Sequence, residues 1–166
     1  MRKRRGFSLI ELLIVVAIIL IIAAIAIPNL LKSRIAANEA STTSSMRTLG
    51  TAEITFASTY NSGFTDTLTR LGAPTSGQPD ATHADLVDPV LAGGAPGSNT
   101  QFTKAGYIFT YAPTGTNTTF GFIAQYQVIA DPQARGSSGQ RSFYTSESAV
   151  IRANATATAT NSDNPL

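Results

Sequence analysis

From Phe7 to Ile27 the chain runs for 21 residues with one charge, Glu11, and one hydroxyl, Ser8. As a helix this segment is ~31 Å long at ~1.5 Å per residue, enough to cross a hydrocarbon core ~30 Å thick. Arg2, Lys3, Arg4 and Arg5 precede it, and the sequence after Pro28 is polar and rich in small residues. The pattern predicts a helix inserted in a membrane, its basic end held on the cytoplasmic side and the rest of the chain outside. A secretory signal peptide cut near Ala24-Ile25-Ala26 and a plain single-span anchor are the two simpler readings of the same run.

Charge narrows what the remainder can do. Four of the 12 Lys and Arg lie in residues 1–6, which leaves eight basic against ten acidic groups in a body of slight negative charge. Such a body is not built to bind a phosphate backbone, which needs clustered cations, so no direct contact with nucleic acid is expected. The absence of cysteine from the 166 residues rules out disulfides and thiolate zinc sites. A single histidine, His83, leaves little material for a metal centre or a Ser-His triad.

Glu11 sits awkwardly in both simple readings. A carboxylate inside an apolar helix costs ~2.5–3.5 kcal/mol at the bilayer centre and less near the end, and such residues usually have a partner. No basic residue occurs between Phe7 and Lys32. A cut after Gly6 would create a positive charge, the α-amino group of Phe7, and another copy of the chain could present it.

Gly6-Phe7-Ser8-Leu9-Ile10-Glu11, with short basic residues before it and a long apolar run after it, resembles the type IV pilin and pseudopilin family, and most of all its major pilins. The resemblance implies that a membrane prepilin peptidase cleaves between Gly6 and Phe7 and methylates the new amine, giving N-methylphenylalanine at Phe7. It makes Glu11 the fifth residue of the mature chain, where it neutralises the N-terminus of a neighbouring subunit as the filament grows. Pro28 matches the proline of major pilins and supplies a helix kink. One departure is clear: many members carry a glycine in mid-segment, where this chain has Ile18-Ile19-Leu20-Ile21-Ile22.

After Pro28 the helix is expected to continue to about Tyr60 as an amphipathic element. Leu31, Ile35, Met46, Leu49, Phe56 and Tyr60 form its apolar stripe, interrupted by Thr42 and Glu53, whose burial should be incomplete or partnered. Residues 61–105 hold six glycines and four prolines and read as a long loop, with a short helix or turn at Ala84 to Leu91. Strands are expected at Gly106–Ala112, Thr119–Ala130 (Phe120, Phe122, Ala124, Tyr126 and Val128 on one face), Ser142–Thr145 and Ala149–Ala153. The tail from Asn154 has no apolar anchor and should be loose or lie along an edge.

The fold class is therefore α+β, a long N-terminal helix packed on an antiparallel sheet of about four strands, as in the ladle-shaped pilin fold. The expected divisions are a leader at 1–6, an assembly helix at 7–28, its amphipathic continuation at 29–60, a variable loop at 61–105, a sheet at 106–153 and a tail at 154–166.

There is no phosphate-binding glycine loop, zinc spacing or nucleophile elbow in the sequence, so neither an enzyme nor a cofactor is expected. Asp80, Asp85 and Asp88 are a calcium candidate, weighed against ordinary solvated charges. Asn117-Thr118-Thr119 and Asn154-Ala155-Thr156 fit the glycosylation pattern. The function implied by the resemblance is a structural subunit of a type IV pilus, with adhesion, twitching motility or DNA uptake belonging to the fibre. A pseudopilin of a type II secretion system is the alternative, and a membrane-anchored binding protein that never polymerises is a third class. The partners implied are other copies of the chain in a helical filament, the prepilin peptidase, the assembly machinery, and inner-membrane lipid before assembly. The location implied is the inner membrane first and a surface filament afterwards.

Overall fold

The computed structural model describes residues 7–93, 100–117 and 122–166, with only the backbone of 116 and 117. Gly6 with the rest of the expected leader at 1–6, and Phe120, lie outside the described residues. The chain divides between Arg34 and Ile35 into two units, Met1–Arg34 and Ile35–Leu166. Helix α1, Leu9–Tyr60, contributes to both.

In the first unit α1 continues through Pro28. Proline has no N–H to donate to the carbonyl four residues back, Ala24, so one rung of the ladder is missing there. Nearly every apolar side chain of this unit is uncovered, from Leu31 at 40% exposure to Phe7 and Leu9 at 77%.

In the second unit α1 buries Glu39, Thr42, Ser45, Met46, Leu49, Gly50, Ala52, Glu53 and Phe56. Steps of three and four residues place Glu39, Thr42, Met46, Leu49, Glu53 and Phe56 on one face. The covered stripe therefore begins with polar residues at Glu39 and Thr42. Leu31 and Ile35, expected to open it, are not buried. Thr42 satisfies its hydroxyl on the Asn38 carbonyl at 2.8 Å, which lets a polar side chain sit fully covered.

The sheet is a five-stranded antiparallel meander, one strand more than the sequence suggested. The additional strand is β1, Gln101–Lys104, in the stretch read as loop; only Phe102 of its four residues is buried, too little to leave an alternating pattern. A two-residue turn joins it to β2, Tyr107–Asn117, with Lys104 opposite Tyr107. Both turn residues, Ala105 and Gly106, have positive φ (51° and 73°). That handedness matches the twist of the flanking strands.

β3, Phe122–Pro132, pairs with β2 over its length, placing Tyr111 opposite Val128 and Phe109 opposite Ala130. β4 is Ser142–Ser146 and β5 is Arg152–Asn154. β5 begins later than expected because Ala149, with φ at 58°, closes a turn onto the Ser146 carbonyl. The inward residues Tyr107, Phe109, Tyr111, Tyr126, Val128 and Phe143 meet Met46, Leu49 and Phe56 of α1 in one core.

The segment between α1 and the sheet is more ordered than its composition implies. A 3-10 turn at Leu68–Leu71 buries both leucines, and Ala84, Val87 and Leu91 join the core without forming a helix. The tail is not loose. Ala159 is fully buried, its N–H bonded to the Ser142 hydroxyl at 3.0 Å, while Ala153 and Ile151 exchange backbone bonds with Asn164 and Leu166. The tail thus lies along the β5 edge and reaches Ser142 of β4, a strand all of whose five residues are buried.

Candidate functional site

The start of α1 is built by a local rule. Ser8 precedes the first helical residue, and its carbonyl accepts the first helical bond, from Leu12 N–H at 3.2 Å. Glu11, three residues after Ser8, turns back so that its Oε2 accepts the Ser8 N–H at 2.9 Å. This is one half of a capping box, in which a carboxylate in the first turn satisfies a donor that the helix leaves orphaned and complements the positive end of the helix dipole. Ser8-Leu9-Ile10-Glu11 carries the Ser-x-x-Glu signature, a signal in the sequence from which this cap can be read. The Glu11 carboxylate is not without a partner in the single chain, as its surroundings in sequence suggested; its partner is its own backbone.

Phe7 stands beside this cap, 77% exposed. From it runs a helix whose 18-residue apolar window has mean hydropathy 3.3 and no buried residue. Its length and composition are enough to cross a membrane. Among the described residues of this segment, Glu11 is the sole ionisable side chain before Lys32.

The other sequence candidates are not brought together. Asp80 uses Oδ1 to hold the Thr82 and His83 N–H groups at 2.7 and 3.0 Å. Asp88 binds the Val90 and Leu91 N–H groups and the Lys104 ammonium. Both carboxyl groups titrate below their ordinary 3.8. For Asp80 the Thr82 and His83 donors are the cause; for Asp88 burial pushes upward, and the Leu91 N–H and Lys104 outweigh it. Their oxygens are engaged in turns. Among the described residues no three His, Asp or Glu gather as a metal site would require. Asn154 is likewise occupied: its Nδ2, the atom that would carry a glycan, donates to Asp163 at 2.8 Å. Asn117 keeps its backbone place at the end of β2, and the rest of its acceptor triplet lies outside the described residues.

Residues 1–27 match the family model described as the prokaryotic N-terminal methylation motif. The matched residues span the basic cluster at 2–5, Phe7, the Ser8 and Glu11 cap and the uncovered apolar helix. The N-terminal segment is similar to that of type IV pilins. The chain is 64% identical over 39 residues to the type IV wide pilus major component PilA4 of Thermus thermophilus, a match covering 24% of this chain and 30% of that protein. It is 48% identical over 54 residues to the type IV major pilin protein PilA of Myxococcus xanthus, covering 32% of this chain and 24% of the relative. The pilin likeness thus spans less than a third of either relative's length. No solved structure gives a significant match.

Two further carboxyl groups organise the second unit. Glu39 Oε1 accepts the Gln140 and Arg141 N–H groups, each at 3.0 Å, and Oε2 accepts the Arg141 side chain at 2.9 Å. Burial pushes the Glu39 pKa up, but the Arg141 and Gln140 donors and the Arg141 charge outweigh it and hold it below the ordinary 4.5. Glu53, fully buried, bonds to Thr65 through both carboxyl oxygens. There burial is the stronger influence, and its pKa lies above 4.5 despite Thr65, Tyr111 and Arg70.

Proposed function

We propose that this chain is the precursor of a structural subunit of a type IV pilus. It is cut between Gly6 and Phe7, methylated on Phe7, and polymerised through residues 7–60 into a filament. The observation that carries this reading is the uncovered apolar segment at Phe7–Ile27 with its one carboxylate, Glu11, in the first turn of α1. An apolar surface of this extent is stable in lipid or against copies of itself, and not in water. Before assembly the helix rests in the inner membrane with Glu11 bonded to the Ser8 N–H. During assembly the Phe7 amine of a neighbouring copy becomes the partner, a charge-assisted contact stronger than the neutral donor it replaces. Pro28 removes one helical bond and lets α1 bend as it packs.

The names of both curated relatives support a pilin over a secretion pseudopilin. Adhesion, motility or DNA uptake would then be properties of the fibre, and the prepilin peptidase and an assembly machine are the partners required on the way. The reading is tested by two substitutions in cells. Gly6→Leu is expected to leave a longer, uncut chain in the membrane. Glu11→Ala is expected to be processed normally and to yield no surface fibres; abundant fibres from that variant would remove the pairing role of Glu11.

A further inference from the structure

Glu53 poses a question that the filament reading does not answer: why a helix should bury a carboxyl group completely among aromatic side chains. Its surroundings are sparse in charge. From the segment after α1 comes Thr65, with Asp66 beyond it. From the 3-10 turn comes Arg70, whose guanidinium is committed to the Ala81 carbonyl at 2.9 Å and to Asp66 at 3.3 Å, and lies over the Phe56 ring. From β2 and β3 come the phenols of Tyr111 and Tyr126, and Glu147 acts on Tyr126 from the turn after β4. No cation is bonded to Glu53 among the described residues.

The proton count around Thr65 favours the neutral form of the acid. Three oxygen–oxygen contacts link the group: Glu53 Oε1 to Thr65 Oγ1 at 2.6 Å, Thr65 Oγ1 to Tyr111 Oη at 3.2 Å, and Tyr111 Oη to the Thr65 carbonyl at 2.6 Å. With Glu53 ionised only two hydroxyl protons are available. One goes from Thr65 to the carboxylate and one from Tyr111 to the carbonyl, so the contact at 3.2 Å sets lone pair against lone pair. With Glu53 neutral there are three protons for three contacts. Glu53 donates to Thr65 Oγ1, Thr65 donates to Tyr111 Oη, and Tyr111 donates to the Thr65 carbonyl. The Thr65 N–H completes the set by donating to Glu53 Oε2 at 3.0 Å. A buried polar network is favourable when every member is satisfied, and this form satisfies each of these contacts.

We propose that Glu53 is carried as a neutral carboxylic acid whose proton closes a latch, fastening the segment around Thr65 to both α1 and β2, and that loss of the proton opens it. The direction of its titration agrees, since burial holds its pKa above 4.5. The folded group keeps its proton more tightly than the opened one. The latch is therefore closed at low pH and weakens as the pH rises from 4.5 through the folded value. The segment it governs leads through the 3-10 turn at Leu68–Leu71 to the exposed residues 75–80, so solution pH reaches that surface through one buried proton.

The test uses the processed full chain in detergent micelles. Infrared difference spectra between wild type and Glu53→Gln are expected to show the carbonyl stretch of a protonated carboxylic acid persisting above the pH at which ordinary glutamic acid ionises. Hydrogen exchange at the Thr65 amide, corrected for its intrinsic rate, gives the second readout. In the window above 4.5, protection is expected to fall about tenfold per pH unit in the wild type. It should stay flat in Glu53→Gln, whose amide can donate to Thr65 Oγ1 as the neutral acid does. A wild-type spectrum with no such band above 4.5 would overturn the proposal whether or not the variant folds, and so would a flat wild-type profile.

Discussion

Glu39→Ala should show how α1 is held to the loop between β3 and β4. The carboxylate accepts three hydrogen bonds, two from the Gln140 and Arg141 backbone and one from Arg141 Nε, and forms an ion pair with Arg141 Nη2 at 2.9 Å. Removing one partner of a fully buried ion pair costs ~3–5 kcal/mol. Here the Glu39 side chain is 11% exposed but that of Arg141 is 42%, so water recovers part of the guanidinium's loss. The two backbone N–H groups are harder to satisfy, at ~1–3 kcal/mol for each one left without an acceptor. These terms overlap, and the expected loss is ~2–3 kcal/mol. Urea unfolding of the full chain in micelles, followed by the near-ultraviolet dichroism of the core tyrosines, should show a midpoint lower by about 1 M or more at unchanged slope. Arg141→Ala keeps both backbone bonds to Glu39 and should cost only ~1 kcal/mol, in the range of an exposed pair. Equal losses in the two variants would assign the energy to the ion pair and refute the backbone account. A loss under ~0.5 kcal/mol for Glu39→Ala would make the contact an ordinary surface one.

Three other outcomes follow from the same geometry. Phe56→Ala empties a fully buried ring site 5.0 Å from the Tyr60 ring and should cost ~3–5 kcal/mol in the same unfolding assay. Gly63→Ala should cost ~2 kcal/mol or more, because Gly63 has φ at 75° and an added Cβ would fall 2.5 Å from the Ile123 carbonyl oxygen. Acid and base should act on different carboxyl groups. Glu39, lowered, contributes stability that is present above 4.5 and lost as pH falls through its folded value, so wild type and Glu39→Gln should converge in acid. Glu53, raised, behaves in the opposite sense, and wild type should lose ground to Glu53→Gln as pH rises above 4.5.

What the sequence disclosed and what it hid have physical reasons. The apolar run from Phe7 and the alternation at Tyr107, Phe109 and Tyr111 are long, periodic signals, and both the helix and the central strands were legible from them. β1 was not, because four residues with one buried side chain carry no period. The covered stripe of α1 was misplaced at its start because hydropathy scores Glu39 and Thr42 as surface. Their burial depends on donors at Gln140 and Arg141, about 100 residues away, and on the helix's own carbonyl at Asn38. The sequence left the tail either loose or along an edge for a similar reason: the anchors that place it on the edge are the Asn154, Asp163 and Ser142 side chains bonding to backbone, together with a single buried alanine. At the candidate site the residues were legible and the local geometry was not. Glu11 drew notice for its charge in an apolar helix, while the Ser8 cap that holds it was written in the same four residues.

The central claim is that the helix at 7–28 is released from its leader and carried into a fibre. Its most direct test is mass spectrometry of the N-terminal peptide from filaments sheared off cells that express the chain. A peptide beginning at Phe7 and bearing one added methyl group is the expected result. Filaments whose subunits still carry residues 1–6, or sheared fibres that contain none of this chain, would contradict it.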